Sequence, residues 1–318
     1  MPDGEPRGKP AGYAELNRYT QVIVDEARRR GVEVTIVDPA TGELELRDGS
    51  RTVRTIESLS ELTSAIAYRR CDDKLYTRQV LAAAGLAIPE GQLASSQDDA
   101  AFLAAHREIV VKPRRGEQGW GVSVGVTDQL GLTHAITAAR SVASDVILER
   151  WVPGNDLRVV VIGGAVVAAS VRRPPVVIGD GCSTIATLIG ELSQRRSLAT
   201  DGASNIPLDE ITERVIGSSG HSLDDILPTG ERLSVRRTAN VHTGGTIEDV
   251  TSELHPALAD VAVAAAVAIG IPVVGIDLIV PSPSEPEYVI IEANEQPGLA
   301  NHEPQPTVER FVDLLFPP

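Results

Sequence analysis

Two carboxylates and one amide near the end of the sequence have the residue types and spacing of a metal site. Glu292 and Asn294 lie two apart in the predicted strand 288–294, so their side chains share one face of it. Asp277 lies within the preceding apolar strand 273–280, and pairing of the two strands brings it beside them. Oxygen ligands without His or Cys favour Mg2+ or Mn2+ over zinc. The alternative is that these acids only leave a sheet into solvent.

A glycine-rich loop between two predicted strands is a second candidate site. It contains Gly116, Gly119 and Gly121, and Lys112 ends the strand before it. Glycines let the backbone approach a phosphate closely, backbone amides donate hydrogen bonds to it, and lysine adds a compact cation. The P-loop pattern G-x-x-x-x-G-K-[ST] is absent, so the loop is of another kind. An ordinary glycine hairpin is the alternative.

Two arginines, Arg158 and Arg172, lie at the ends of a predicted apolar hairpin. Guanidinium groups bind phosphate or carboxylate oxygens through two parallel hydrogen bonds; the alternative is a solvated rim. The sequence has neither a G-x-S-x-G motif nor a Cys/His zinc spacing, which argues against a covalent hydrolase and a zinc enzyme.

Composition argues against nucleic-acid-binding, disulfide-rich and membrane-spanning proteins. With 318 residues the chain is long enough for about two domains. Only 3% of residues are aromatic and the net charge is -15, both unfavourable for binding nucleic acid. Two cysteines cannot form a disulfide framework, so we expect a cytoplasmic protein. The apolar stretch 261–276 is interrupted by Gly270 and Pro272, so no membrane span is predicted.

The elements that must position these residues are those of an α/β protein. The sequence predicts helices at 15–30, 60–85, 98–106, 130–143 and 254–269, and strands at 32–37, 44–47, 52–56, 109–113, 122–126, 146–149, 157–162, 166–171, 273–280 and 288–294. Strand 122–126, helix 130–143 and strand 146–149 form a predicted βαβ-like unit. Residues 183–230 alternate short helices with turns and are predicted to be an inserted subregion.

Taken in order, these features resemble the ATP-grasp ligases. The resemblance covers about residues 60–318 and rests on Lys74, Val111-Lys112-Pro113 with the glycine loop, Leu148-Glu149-Arg150-Trp151-Val152-Pro153-Gly154, Asp277 and Glu292-Ala293-Asn294. Within that family, Gly154-Asn155-Asp156-Leu157-Arg158 and Thr238-Ala239-Asn240 with Thr243-Gly244-Gly245 are similar to the ATP-grasp part of cyanophycin synthetase and bifunctional glutathione synthetases.

The resemblance implies an ATP-grasp fold, in which two α/β subdomains grip ATP. We expect a flexible leader at 1–12, a small α/β N-terminal piece at 13–65 that is similar to a pre-ATP-grasp domain, and an ATP-grasp domain at 66–318. The ATP-grasp domain would divide into a first subdomain with the glycine loop, 66–150, and a second with the metal site, 151–318.

A narrower resemblance points to the N-acetylglutaminylglutamine synthetases. It rests on residues 292–304, on 58–67 and on Cys71-Asp72-Asp73-Lys74. That family usually carries an acetyltransferase domain ahead of the ligase, whereas a piece of about 60 residues precedes it here. Acetylation would then need a separate acetyltransferase partner.

The family resemblance also implies a role for each candidate residue. The ATP-binding residues would be Lys74 and Lys112 on the α and β phosphates, Gly116, Gly119 and Gly121 closing over them, Glu149, Trp151 and Val152 at the adenine, and Asp156 at the ribose. The remaining residues would be Asp277, Glu292 and Asn294 holding Mg2+ (or Mn2+), Arg158 and Arg172 stabilising the transferred phosphoryl group, and Asn240 lining the acceptor pocket.

The function that the resemblance implies is ATP-dependent ligation of a carboxylate to an amine through an acyl-phosphate. We expect amino-acid or dipeptide substrates, as in the N-acetylglutaminylglutamine synthetases. The alternatives are a cyanophycin-like or glutathione-like ligase with other substrates, and a nucleotide-binding regulatory module without turnover. Ligases of this kind are often dimers or tetramers, so a homo-oligomer is expected.

Overall fold

The N-terminal part of the chain is a small antiparallel sheet covered by one helix. The computed structural model describes residues 9–116, 119–200, 202, 204–302 and 304–317. Helix α1 (Arg18–Arg29) begins after Asn17, whose side chain accepts a hydrogen bond from the Thr20 amide. Four strands follow in sheet order: β1 (Glu33–Asp38), β2 (Glu43–Asp48), β3 (Arg51–Ile56) and β4 (Leu59–Ser60). The three predicted strands lie within one residue of β1, β2 and β3.

The long helix predicted at 60–85 is wrong, because the structure divides that stretch into two helices. Helix α2 (Ala65–Asp72) ends at Asp73, which has an extended backbone and also begins helix α3 (Lys74–Ala83). The Asp73 carboxylate accepts a hydrogen bond from the Tyr76 amide at 3.3 Å, the geometry of a helix N-cap. This break leaves Lys74 at the first position of a helix.

The next part of the chain is a four-stranded sheet with two helices. Its elements are β5 (Gly91–Leu93), α4 (Asp99–His106), β6 (Ile109–Pro113), β7 (Ser123–Val126), α5 (Gln129–Arg140) and β8 (Val146–Arg150). The sheet order is β5-β8-β6-β7. Strands β7 and β8 both pair antiparallel with β6 and therefore run parallel to each other. The βαβ-like unit predicted from the sequence is thus present in a split form, with β6 between its two strands.

A hairpin and an insertion follow. Strands β9 (Asn155–Ile162) and β10 (Ala165–Arg173) pair antiparallel. The insertion then contains β11 (Val176–Ile178), α6 (Ile185–Ala199), α7 (Glu210–Ser218) and β12 (Arg232–Ser234). It has a core of its own, which includes Val177, Ile185, Ile216, Leu227 and Leu233. We call residues 176–245 the insert from here on.

The chain ends by completing a five-stranded antiparallel sheet. The last elements are β13 (Thr246–Asp249), α8 (Pro256–Ile269), β14 (Val273–Val280), β15 (Val289–Asn294) and α9 (Thr307–Leu315). The order of this central sheet is β13-β10-β9-β14-β15. Helix α8 has Pro256 at its first turn and ends at Gly270, which has a positive φ of 77°, the residue type that tolerates this conformation best.

Both faces of the central sheet are packed. Helix α8 covers one face, in a core that includes Leu157, Val159 and Ile276. On the other side, Val160 and Val273 belong to a second core shared with α9 and the N-terminal sheet. The N-terminal piece therefore folds onto the central sheet through a common core. Among the described residues, no helix is long and apolar enough to cross a membrane.

Phe311→Ala tests whether that common core holds the N-terminal piece in place. Phe311 is fully buried in α9, and loss of a buried aromatic ring costs about 3–5 kcal/mol of unfolding free energy. We expect a loss of that size in urea unfolding. The control is Val267→Ala, at a side chain that is 72% exposed on α8, which should change stability by less than about 0.5 kcal/mol. Equal effects of the two substitutions would contradict the shared core.

Candidate active site

The centre of the candidate site is the carboxylate of Asp277, which is only 4% exposed. Arg158 donates to it twice, from Nε to Oδ1 at 2.7 Å and from Nη2 to Oδ2 at 2.8 Å. Arg172 Nη2 lies 2.8 Å from Oδ2, and Asn294 Nδ2 donates to the same oxygen at 3.2 Å. Two guanidinium groups and one amide therefore surround a single buried carboxylate.

Strand register explains why these side chains meet. Asp277 on β14 lies opposite Arg158 on β9 and opposite Glu292 on β15. Residues directly opposite in antiparallel strands project from the same face. Asn294 lies two residues beyond Glu292 and shares that face. The structure thus brings together the three residues predicted to hold a metal ion, and adds Arg158 to them.

The charges around Asp277 control its protonation. Burial alone would raise the pKa of Asp277, but Arg158 and Arg172 outweigh that effect and lower it to about 2. Asp156 also pairs with Arg172, with Nη2 to Oδ1 at 2.7 Å. Burial raises the pKa of Asp156 despite this arginine. Asp277 is accordingly a carboxylate at neutral pH.

The chemistry of the donor atoms fits Mg2+. Among the described residues, no group of three or more His, Cys, Asp or Glu side chains is arranged to hold a metal ion by itself, and both Asp277 oxygens are engaged by arginine. Glu292 is 28% exposed and its Oε1 lies 2.8 Å from Lys74 Nζ, so solvent reaches this carboxylate. A few carboxylate and amide oxygens, completed by water and phosphate, are the usual surroundings of Mg2+. Glu292, Asn294 and Asp277 would hold it.

Two of the three lysines in the chain lie in this site. The sequence contains Lys9, Lys74 and Lys112 only. Lys74 Nζ donates to the Gly116 carbonyl at 2.6 Å, and Lys112 Nζ lies 2.8 Å from Glu149 Oε2. Both lysine side chains are less than a tenth exposed. The structure therefore places two buried ammonium groups beside the first glycine of the loop and the Glu149 carboxylate.

Arg78 is a site residue that the sequence analysis missed. Its Nη1 donates to Glu149 Oε1 at 2.7 Å, and its Nη2 donates to the Pro89 carbonyl. Glu149 is thus bound by Arg78 on one oxygen and by Lys112 on the other. Arg78 follows Lys74 by four residues in α3, the spacing that puts two side chains on one helical face. This four-residue spacing is the sequence feature that could have identified Arg78 as a neighbour of Lys74.

Asp73, which the sequence analysis named without giving it a role, fixes the start of the glycine loop. Its carboxylate accepts from Arg114 Nε and Nη2, both at 2.8 Å, and from Arg115 Nη2 at 3.2 Å. The Lys74 amide donates to the Arg114 carbonyl at 3.1 Å. The helix that carries Lys74 is therefore joined to the loop by both side-chain and backbone bonds.

The glycines of the loop have the conformations that only glycine adopts readily. Gly116, Gly119 and Gly121 have φ values of 127°, 74° and 72°. A Cβ on Gly121 would also lie 3.2 Å from the Ala138 carbonyl oxygen, so a larger residue would meet backbone. The two residues between Gly116 and Gly119 lie outside the described part of the chain.

The remaining predicted residues lie around this network. Trp151 and Val152 are half-buried just after β8, and the Trp151 amide donates to the Glu108 carbonyl at 3.1 Å. Asn240 belongs to the insert, and its Nδ2 would lie 3.7 Å from a Cβ built on Gly119. The insert therefore reaches the glycine loop. The roles predicted for these residues at adenine, ribose and acceptor stay predictions.

Two buried polar atoms near the arginines have no hydrogen-bond partner within the described ranges. They are Ser170 Oγ and His302 Nδ1. Ser170 lies opposite Arg158 in the sheet, and the short helix Leu299–His302 packs against β10. Burial, together with the nearby Arg158, lowers the pKa of His302 to about 4, so this imidazole is neutral at neutral pH. The sequence contained no motif that would have found either residue.

The chain belongs to the RimK-like ATP-grasp domain family. The family matches residues 71–175 and 227–312, and the stretch it omits contains most of the insert. This match confirms the family resemblance and the ATP-grasp fold predicted from the sequence. The narrower resemblance to N-acetylglutaminylglutamine synthetases stays a prediction.

The relatives of this chain include two much longer proteins. Cyanophycin synthetase of Trichormus variabilis is 33% identical over 321 residues, which cover 96% of this chain and 35% of that protein. The bifunctional glutathione biosynthesis protein GshAB of Clostridium perfringens is 29% identical over 325 residues, or 96% of this chain and 42% of the relative. The chain thus spans less than half the length of these relatives.

Solved structures show the same fold. The bifunctional glutathione synthetase from Pasteurella multocida superposes with a TM-score of 0.66 at 24% identity, covering 96% of this chain and 44% of that one. A D-alanine–D-alanine ligase from Bacillus anthracis gives a TM-score of 0.51 at 14% identity, with coverage of 80% and 68%.

Asp73→Asn tests the bonds that join α3 to the glycine loop. Burial raises the pKa of Asp73, but Arg114 and the other donors lower it from 3.8 to about 2. A carboxyl group with a lowered pKa stabilises the fold above its unfolded pKa, and this stability is lost as the pH falls through the folded pKa. Asparagine keeps the helix N-cap and removes the charge.

We expect Asp73→Asn to be about 1–2 kcal/mol less stable than wild type at pH 7 in urea unfolding, with the difference shrinking between pH 4 and pH 2. Asp128→Asn is the control, because Asp128 caps α5 by accepting a hydrogen bond from the Gly131 amide and pairs with no arginine within the described ranges. A difference that does not vary with pH would contradict the role of the Asp73 charge.

Proposed function

We propose that this protein is an ATP-dependent carboxylate–amine ligase that forms an amide bond through an acyl-phosphate. The observation that carries the proposal is the convergence of Lys74, Arg158 and Arg172 on Asp277 and Glu292 at one face of the central sheet. Such a site gathers positive charge where phosphate oxygens must be neutralised. Membership of the ATP-grasp family supports the same reaction.

The proposed reaction has two steps. A substrate carboxylate oxygen attacks the γ-phosphorus of ATP, the bond to the leaving ADP oxygen breaks, and an acyl-phosphate forms. The amine nitrogen then attacks the acyl carbon, phosphate leaves, and the amine loses a proton. Phosphoryl transfer of this kind depends on positioning and charge neutralisation more than on covalent help from the protein.

The chain's own residues divide this work. Lys74 and Lys112 bind the α and β phosphates, and the glycine loop covers them. Arg158 and Arg172 stabilise the transferred phosphoryl group. Glu292, Asn294 and Asp277 would hold Mg2+, which would supply positive charge to neutralise phosphate oxygens.

Residues around the phosphate-binding centre bind the adenine and ribose of ATP and the acceptor substrate. Glu149, Trp151 and Val152 contact adenine, and Asp156 accepts from the ribose hydroxyls. Asn240, which reaches Gly119 from the insert, lines the acceptor pocket.

Amino acids or dipeptides are the proposed substrates. The relatives include cyanophycin synthetase and a glutathione biosynthesis protein, and residues 292–304 resemble the N-acetylglutaminylglutamine synthetases. An acetylated product would need a separate acetyltransferase partner, and we propose a homo-oligomer as the working form.

The direct test is a phosphate-release screen with ATP and Mg2+ over pairs of amino-acid or dipeptide carboxylates and amines, with products identified by mass. A ligase releases one phosphate for each amide formed. Silence across the panel, combined with retained nucleotide binding, would contradict the ligase and support a regulatory module.

Glu292→Gln tests the metal assignment. It removes the charge of the more exposed of the two proposed carboxylate ligands and leaves side-chain size unchanged, so we expect ADP formation to fall by roughly a hundredfold or more in a protein that still folds. Glu287→Gln is the control, because Glu287 is exposed in the loop of the same hairpin. Turnover of Glu292→Gln at the wild-type rate would remove the metal assignment.

Lys112→Ala tests the phosphate assignment. Loss of one charged hydrogen-bond donor should raise the KM for ATP by about tenfold or more. Lys9→Ala is matched in chemistry and lies over the Tyr13 ring, outside the site. An unchanged ATP dependence of Lys112→Ala would mean that the glycine hairpin does not bind phosphate.

A further inference from the structure

The insert has its own core and needs an external contact to define its position. That core includes Val177, Ile189 and Leu233, and the chain enters and leaves the insert beside β10 and β13 of the central sheet. The glycine hairpin, formed by β6, the loop and β7, belongs to the other sheet. A contact between the insert and this hairpin therefore joins the two sides of the nucleotide site.

Arg237 makes such a contact. Its Nη1 donates to Glu108 Oε1 at 2.8 Å, and the two side chains are 41% and 29% exposed. Glu108 immediately precedes β6, and its carbonyl accepts the hydrogen bond from the Trp151 amide. One residue thus binds the insert through its side chain and the predicted adenine-binding segment through its backbone.

Gly125 is a second, independent sign that this contact is built into the fold. Gly125 is the extra residue of a bulge in β7, where Ile109 pairs with Val126 and Val110 with Val124, and it has a φ of 77°. A Cβ at this position would lie 2.7 Å from Arg237 Cζ and 2.9 Å from Glu108 Oε1. Both partners of the ion pair therefore lie directly over Gly125, the one residue of β7 that has no side chain.

The same segment of the insert continues to the glycine loop. Asn240 follows Arg237 by three residues, and its amide lies over Gly119. Displacement of Arg237 would therefore also shift the contact between Asn240 and the loop.

We propose that Arg237 is a positioning residue that holds the insert against the glycine hairpin through Glu108 and Gly125, and so sets how tightly nucleotide is bound. This inference rests on the proposed function for the nucleotide itself. The contact between insert and hairpin is a property of the protein alone and can be measured without any ligand.

A charge-reversal cycle tests the proposal. The variants are Arg237→Glu, Glu108→Arg and the double variant that restores the pair in the opposite sense. Two readouts are used: binding of ADP with Mg2+, and the rate of trypsin cleavage without nucleotide after Arg195 and Arg196 of the insert, two sites that no variant changes. The free energy that a partly exposed ion pair contributes corresponds to about two- to fivefold weaker ADP binding in each single variant. We also expect trypsin to cleave each single variant faster than wild type.

The double variant should regain ADP affinity to within about twofold of wild type and recover protection from trypsin. A structural defect alone would not be repaired by reversing both charges. The control cycle is Arg54→Glu with Glu45→Arg, a cross-strand pair of similar exposure in the N-terminal sheet, which should leave both readouts unchanged. A double variant no better than the singles, or control variants with equal effects, would overturn the proposal.

Gly125→Ala is the second variant, and Gly85→Ala is its matched control. Gly85 has a φ of 75°, close to that of Gly125, but a Cβ there meets nothing within 4 Å. Backbone strain is therefore similar, and only Gly125→Ala displaces the ion pair. We expect ADP binding to weaken by no more than in Arg237→Glu, because the ends of the Arg237 and Glu108 side chains can shift, and Gly85→Ala to bind as wild type.

The two proposals fail in different ways. If wild-type protein binds no ADP while the trypsin cycle still shows rescue, the proposed function is wrong and the contact stands. If ADP binds normally in every variant and trypsin cleaves all of them alike, the positioning role of Arg237 is wrong and the ligase remains.

Discussion

A buried carboxylate held between two guanidinium groups is the interaction on which the rest of this site depends. Removing a charge from water is costly unless it is paired and hydrogen-bonded, and Asp277 obtains its partners from three other strands. Arg158 comes from β9, Arg172 from β10 and Asn294 from β15. A slip of one residue in any of these strands would turn its partner to the opposite face. The charge of Asp277 therefore favours one register across the sheet.

Cationic side chains are concentrated at the site although the chain as a whole is acidic. The chain has a net charge of -15, which argues against nucleic acid. The site nevertheless gathers two of the three lysines, which pair with Glu292 and Glu149. These pairs also join different parts of the fold, since Lys74 begins α3 and Glu292 belongs to the central sheet. A net acidic protein can thus present a concentrated cationic site to a small anionic substrate.

The sequence predicted individual helices and strands better than it predicted which strands pair and which side chains meet. Patterns of apolar residues located β1 to β3, and a continuous apolar run located β14. The two-residue spacing of Glu292 and Asn294 placed both side chains on one face. The break at Asp73 was missed because helical spacing continues on both sides of it. Arg78, Ser170 and His302 were missed because their importance comes from side chains far away in the sequence. Strand order, which brings Arg158 to Asp277, is fixed by tertiary packing and cannot be deduced from one strand's pattern.

The acyl-phosphate route requires that a substrate carboxylate takes the γ-phosphoryl group before the amine attacks. In this route one carboxylate oxygen leaves with the released phosphate, so its transfer can be measured. The carboxylate substrate found in the screen is labelled with 18O on both oxygens and incubated with ATP, Mg2+ and the amine, and the released phosphate is analysed by mass spectrometry. An acyl-phosphate route predicts one labelled oxygen in the phosphate for each amide formed. Unlabelled phosphate alongside amide formation would contradict it.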